Sequence, residues 1–546
     1  MILVTGEGSG LATAIAAGLT AAGSQVRLVR LGGATADARE AMAELVDGVS
    51  QIILVEPALP LPEEGWLDLC TRCLYDLLMA AADAAVPVPR VVVLGSMDIF
   101  LPYPPNIGVM PVFQPLPSCD PAVLGPHMAE YVCREFAMCG TVEVLAARLG
   151  TLVETPPSMQ AGQPPPRWWV QLDEAAEAIV EAVCAFTGPT PLSRRHSVAF
   201  DTINLAHGDD GPEFSPLAPK AANSGNPHWS PPPATAPAVS TPVEQLDKVV
   251  IFGGSGLMGP DVVINLAPPA ELAHKQAQKV FELRITDVTE RPNRRDQSQV
   301  KRSTGEAARG SAIDAQTAET DPRHEYMTVD LTSLEEVRTA AAGTDAIVVC
   351  SVSREHPVLA FEVNCRGVYN ALVAAVENGH RRFINTGPWS VVGGHHRNWY
   401  HGLHENMPPQ SGLSLYCFSK GLGHEVARIF SVNHDISVMS SMHGSFPTAE
   451  WNAENRGLGG DPGTNPGIGL REGDGLSQPL CSTYAEAAAV IRAMLEVDLA
   501  RLPSRHEAFF VLPDVPDGVF SNAKARKILG WEPVHPLTSY FTRSKL

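Results

Sequence analysis

Tyr416 and Lys420 stand four residues apart in SLYCFSKGLGHEVARIF, so on a helix they share one face, a turn apart. An ammonium beside a phenol stabilises the phenolate and lowers the tyrosine pKa, which suits the pair to proton transfer at an oxygen. Upstream, Gly253, Gly256 and Gly259 form GxxGxxG between the apolar run KVVIF and a helix opening at Pro260. Such glycines permit a tight turn and let the backbone approach a pyrophosphate resting on the helix N-terminus. The next strand-like run, VFELRITDV, ends with Asp287, where a carboxylate can accept hydrogen bonds from both hydroxyls of an adenosine ribose. The same charge repels a 2′-phosphate, so NAD is favoured over NADP. Asp330 follows a short strand in YMTVDLTS, where an acid can bind the adenine amino group, and TDAIVVCSV supplies the strand whose C-terminal end faces the cofactor. The Gly-to-acid spacing is long, which predicts an extended helix over Val262–Gln278.

Other reactive residues read more plainly. His395, His396, His401 and His404 lie in GGHHRNWYHGLHENMPPQSG without an acidic or cysteine ligand pattern, so a polar substrate loop is expected and a metal site is not. Cys70 and Cys73 form a CxxC inside an apolar helical run, Trp66 to Ala85, and read as core packing.

The elements that must position these groups occur twice. ILVTGEGSGLA at Ile2 repeats as VVIFGGSGLMG at Val249, each an apolar run, a Gly-rich turn and a helical stretch. LDLCTRCLYDLLMAA at Leu67 lies over FEVNCRGVYNALVAA at Phe361 without a gap, matching Arg72 to Arg366 and Tyr75 to Tyr369. RVVVLGSMDIF at Arg90 corresponds to RFINTGPWSVV at Arg382, and both halves then carry an alanine-rich helix. Strands alternating with helical periods imply βαβ units and parallel, doubly wound sheets. Between the halves, residues 208–246 are dominated by Pro, Ala, Ser and Asn and read as a linker. Residues 1–207 and 247–546 are therefore expected to be two domains. Residues 292–325, polar and aperiodic, read as a surface insertion.

A net charge of −20 argues against a nucleic-acid backbone or an anionic membrane as partner. The sequence holds no unbroken run of about 18 apolar residues, the length needed to span a bilayer. The start, Met1 to Ala22, lacks a basic region ahead of its apolar run, so reduced thiols in the cytoplasm are expected.

The ordered series GGSGLMG, TVDLTS, FEVNCRGVYNALVAAVENGHRRFINTG, YCFSK and ARKILGWEP resembles the extended short-chain dehydrogenase/reductase family, from about Lys248 to Pro533. That family includes NAD-dependent sugar epimerases, dehydratases and dehydrogenases, and ELRITDV, VNCRGVYNAL and WSVVGG are most similar to its uronate dehydrogenases. The resemblance implies a Rossmann-like domain in the second half and, with the internal repeat, two such domains in tandem. It makes Tyr416 the general acid/base, Lys420 its partner, and Gly253, Gly256, Gly259, Asp287 and Asp330, together with Tyr416 and Lys420 at the nicotinamide ribose, the NAD-binding residues. It also places His443 of HGSFP and residues 455–475 on the substrate side. One position departs from the family: five residues before Gly393, where Ser or Thr holds the substrate oxygen, stands Pro388, with Ser390 and Thr386 the nearest hydroxyls.

The first half lacks this equipment. Gly6, Ser9 and Ala12 stand where three glycines are expected, Arg30 replaces the strand-end acid, and Leu124 and Met128 replace the Tyr–Lys pair, although Ser96 keeps the hydroxyl position. Residues 1–207 therefore read as a degenerate, non-catalytic copy. The expected function is NAD-dependent oxidation or reduction of a hydroxyl or carbonyl on a polar, sugar-like small molecule. Two alternatives stay open: epimerisation or dehydration without net redox, and NAD binding without turnover. A homo-oligomer or an internal pseudo-dimer is equally compatible with the duplication.

Overall fold

Each repeated apolar run forms a strand because Val, Ile and Leu there are buried on both faces, as parallel sheets require. The computed structural model describes residues 1–31, 38–61, 64–103, 115–154, 166–186, 200–208, 246–256, 258–268, 279–288, 322–397, 403–444, 484–512 and 520–533. The chain divides into two units, Met1–Val239 and Ser240–Leu546. That division falls inside the expected linker, most of which lies outside the described residues.

In the first unit, β1 (Ile2–Thr5), β2 (Val26–Val29), β3 (Gln51–Leu54), β4 (Arg90–Ser96), β5 (Glu143–Leu149), β6 (Thr151–Val153), β7 (Trp168–Gln171), β8 (Phe200–Leu205) and β9 (His207–Gly208) are strands. Six form a parallel sheet in the order β2-β1-β3-β4-β5-β8, and β6-β7-β9 form a small second sheet. The second unit has β10 (Lys248–Phe252), β11 (Glu282–Asp287), β12 (Glu325–Thr328), β13 (Ala346–Val349), β14 (Arg382–Pro388), β15 (Ser437–His443) and β16 (His506–Val511). These make one parallel sheet, β12-β11-β10-β13-β14-β15-β16. The strand order reverses between β10 and β13, which opens a crevice at their C-terminal ends. Among the described residues, the first sheet has no strand corresponding to β12.

The register repeats between units. β4 pairs with β5 from Arg90↔Glu143 to Ser96↔Leu149, and β14 with β15 from Arg382↔Ser437 to Pro388↔His443. Within one residue of the same place, each unit widens a helix into a π turn, Leu69–Cys73 and Glu362–Arg366. Arg72 pairs with Asp68 at 2.6 Å there, as Arg366 pairs with Glu362 at 3.0 Å. Cys70 and Cys73 are buried, and burial pushes the Cys73 thiol up to about 12. They are packed as core.

One expectation is corrected. The helix after the glycine turn spans only Gly259–Leu266. Pro268 and Pro269 follow at once, and proline disfavours helical backbone in the residue before it. Residues 269–278 lie outside the described set. This helix and Tyr484–Glu496 pack together over Val249, Ile251, Val348, Ile384 and Met439. The helices Gly367–Glu377 and Leu415–Asn433 also pack on each other.

Candidate active site

The exit of β10 is held by backbone. Gly253 and Gly254 donate to the carbonyl of Thr286 on β11 at 2.9 and 3.0 Å. Gly253 has φ +81°, and a Cβ there would come within 2.5 Å of the Ser351 nitrogen. A Cβ on Gly259 would sit 2.4 Å from the Gly254 carbonyl, so only glycine lets the helix start this close to the strand. Gly256 is looser, its nearest neighbour being the Gly253 oxygen at 3.3 Å. This cradle fits a dinucleotide, and Ser255 Oγ within it is buried without a hydrogen-bond partner.

Asp287 reaches back to the same turn. Its Oδ2 accepts the Ser255 N–H at 2.9 Å and its Oδ1 the Val288 N–H at 2.8 Å. A carboxylate has about four acceptor positions, so capacity for two hydroxyls remains. Asp330 is exposed and its Oδ1 accepts the Thr332 N–H at 2.9 Å, which stabilises its own turn.

Tyr416 and Lys420 lie in the first turns of the Leu415–Asn433 helix. Lys420 is 2% exposed, and its Nζ donates to the carbonyls of Ser351 and Thr386, each at 3.1 Å. Those oxygens stand at the ends of β13 and β14, so the ammonium stitches the crevice floor. Burial brings its pKa down to about 8. Tyr416 is half-buried, with the Arg354 guanidinium 5.1 Å from its ring centre.

The two candidate hydroxyls differ. Thr386 Oγ1 donates to the Val349 carbonyl at 2.9 Å, a link within the sheet. Ser390 Oγ instead reaches the Cys417 sulfur at 3.0 Å, next to Tyr416. Pro388 pairs in register with His443, whose Nε2 lies 2.7 Å from Ser441 Oγ. Burial, then the Lys420 charge, pushes His443 down to about 3, so its imidazole is neutral. His395 Nε2 lies 2.6 Å from the Pro408 carbonyl and His404 is exposed. His401, the His396 side chain and residues 455–475 lie outside the described set.

Asn364 was not singled out by type or spacing. Fully buried, it donates to Ser353 O at 2.7 Å and Ser419 Oγ at 2.9 Å, and accepts from Ser353 N at 3.2 Å. It thereby ties the loop after β13 to the Tyr–Lys helix. A polar residue amid the apolar helix VNCRGVYNAL was the available signal.

In the first unit the same positions are filled by packing. Leu124 and Met128 are fully buried, and Ser96 Oγ accepts the Asp98 N–H at 3.1 Å as a helix cap. Glu130 and Arg148 form a buried ion pair beside them, with Arg148 Nε 2.9 Å from Glu130 Oε2.

Residues 249–446 match the model of the NAD dependent epimerase/dehydratase family. No curated protein matches the chain. Among solved structures, uronate dehydrogenase from Agrobacterium tumefaciens is 18% identical, with 54% of this chain and 87% of that one covered and a TM-score of 0.36. Glucuronic acid dehydrogenase from Chromohalobacter salexigens is 16% identical over 54% and 86%, with a TM-score of 0.36. A dTDP-glucose 4,6-dehydratase from Streptomyces venezuelae, solved with NAD, is 18% identical over 52% and 80%, with a TM-score of 0.34.

Proposed function

We propose that the C-terminal unit is an NAD-dependent enzyme of oxidoreductase type, acting on a hydroxyl or carbonyl of a polar, sugar-like small molecule. The observation that carries this reading is the seat of Lys420, a buried ammonium fixed by two strand-end carbonyls one helical turn from Tyr416. The match of residues 249–446 to an NAD-dependent family supports it.

In this reading, Asp287 accepts the ribose hydroxyls, and the cradle of Gly253, Gly256 and Gly259 takes the pyrophosphate. Asp330 faces the adenine. NAD, when bound, supplies the carbon that accepts or returns hydride. Tyr416 removes the proton from the substrate hydroxyl as phenolate and returns it as phenol, while the Lys420 charge favours the phenolate. Ser390 donates a hydrogen bond to the substrate oxygen, the task for which Pro388 has no group, and Thr386 positions Lys420 through its carbonyl. The N-terminal unit does no hydride chemistry, since Leu124 and Met128 can neither donate nor hold a proton.

Tyr416→Phe should lower kcat on the order of 10²–10⁴-fold while NAD affinity changes by no more than about threefold. Unreduced turnover in that variant would refute the assignment. The family description also favours a second reading, epimerisation or dehydration with hydride returned to the substrate. NADH released in step with product identifies a dehydrogenase; product without NADH identifies an epimerase or dehydratase.

A further inference from the structure

The N-terminal unit has its own crevice, a cavity of about 700 Å³ beside its glycine turn. Its walls are Gly6–Ser9, Arg30 and Leu31 at the end of β2, and Glu56 just past β3. Register equates the units position by position. Ile2 pairs with Gln51 as Val249 pairs with Ala346, and Thr5 pairs with Val29 as Phe252 pairs with Thr286. Glu7 therefore stands where Gly254 does, Glu56 where Ser351 does, and Arg30 where Asp287 does.

Two neutral positions flanking a phosphate cradle have become carboxylates. Glu56 is 7% exposed; its Oε1 accepts the Leu31 N–H at 2.7 Å, while its Oε2, also buried, accepts no hydrogen bond of normal geometry, the Gly6 amide being the weakest of the groups that act on the carboxyl. Burial raises its carboxyl to about 7, and the Leu31 amide, Arg30 and the Gly6 amide only partly offset this. The helix N-terminus behind the turn already gives the Ala12 amide to Ser9 Oγ at 3.1 Å. A pyrophosphate would meet Glu7 and Glu64, and Glu56 wherever it is ionised, against the charge of Arg30, so like charge disfavours a dinucleotide. A hydroxyl donor would instead satisfy the orphaned oxygen, and Leu31, Leu59 and Leu61 offer an apolar wall for a flat ring. The volume lies within the range of about 300–1,000 Å³ common for small-molecule sites.

We propose that this crevice is a second binding site, for an unphosphorylated nucleoside whose ribose hydroxyls donate to Glu56 and whose base lies on Leu31, Leu59 and Leu61. The site is distinct from the proton-transfer crevice and needs none of its residues.

The test is calorimetry on the full chain with NAD in excess, titrating adenosine, guanosine, cytidine, uridine, free ribose and the 5′-monophosphate of any nucleoside that binds. At least one nucleoside should bind one per chain, with ribose and the monophosphate each about tenfold weaker or more. Glu56→Gln should weaken the nucleoside about tenfold. Glu7→Gln, at an exposed position that leaves folding intact, should narrow the gap to the monophosphate about threefold. The proposal fails if no nucleoside saturates by about 10 mM. It also fails if ribose binds as well as the nucleoside, or if both variants bind as the wild type does.

Discussion

Lys420 donates two of its three hydrogens to the Ser351 and Thr386 carbonyls, which fixes its direction without neutralising it. Cys350 and Arg354 act on its charge in opposite senses, and burial outweighs both, leaving the amine at about 8. Its proton is held below that value and lost above it. Since kcat/KM reports the free enzyme, kcat/KM for oxidation should fall as pH climbs past about 8. In Lys420→Arg the rate is lower throughout but that alkaline fall disappears, because guanidinium stays charged. The unfolded chain binds this proton up to about pH 10.4, so stability should also rise from about pH 8 to there, measurable by denaturant unfolding. The types and spacing of Tyr416, Lys420 and Asp287 were legible in the sequence. The seat of Lys420 was not, because backbone carbonyls carry no residue-type signal. Nor could spacing decide between Thr386 and Ser390, whose hydroxyls turn to different neighbours.

At the scale of elements, the glycines of the cradle are not equivalent. Gly259→Ala puts a methyl 2.4 Å from backbone and must push the helix off the strand, whereas Gly256→Ala meets only one oxygen at 3.3 Å. NAD binding measured by calorimetry should weaken at least about tenfold for Gly259→Ala and no more than about threefold for Gly256→Ala. Equal losses would mean that the turn is not shaped by close approach. The parallel sheets and the paired architecture followed from alternating apolar runs and helical periods; the strand order came only with the fold. The length of the helix after the turn did not, because its apolar periodicity runs on past Leu266 while Pro268 and Pro269 end it. Among the described residues, the lack of an outer strand in the first sheet agrees with the absence there of a segment like TVDLTS.

At the scale of the whole chain, the two units have separate cores. Among the described residues no helix is long and apolar enough to cross a membrane. Two cores predict two thermal transitions in scanning calorimetry. NAD at a hundred times its Kd should raise one of them, by roughly 5 °C, and leave the other in place. A single transition, or a shift in both, would mean that the units unfold together. The π turns at Leu69–Cys73 and Glu362–Arg366 bear on this duplication. One copy has Leu124 and Met128 in place of the Tyr–Lys pair and still keeps the wide turn, so packing is what retains it. A π turn amounts to one residue inserted into an α-helix. Removing that residue would rotate everything downstream by about 100°, swinging Leu77 and Leu78, or Ala371 and Leu372, out of their buried places. Neither copy can gain or lose a residue there, which makes this stretch a common origin for counting the two halves against each other after their chemistry has diverged.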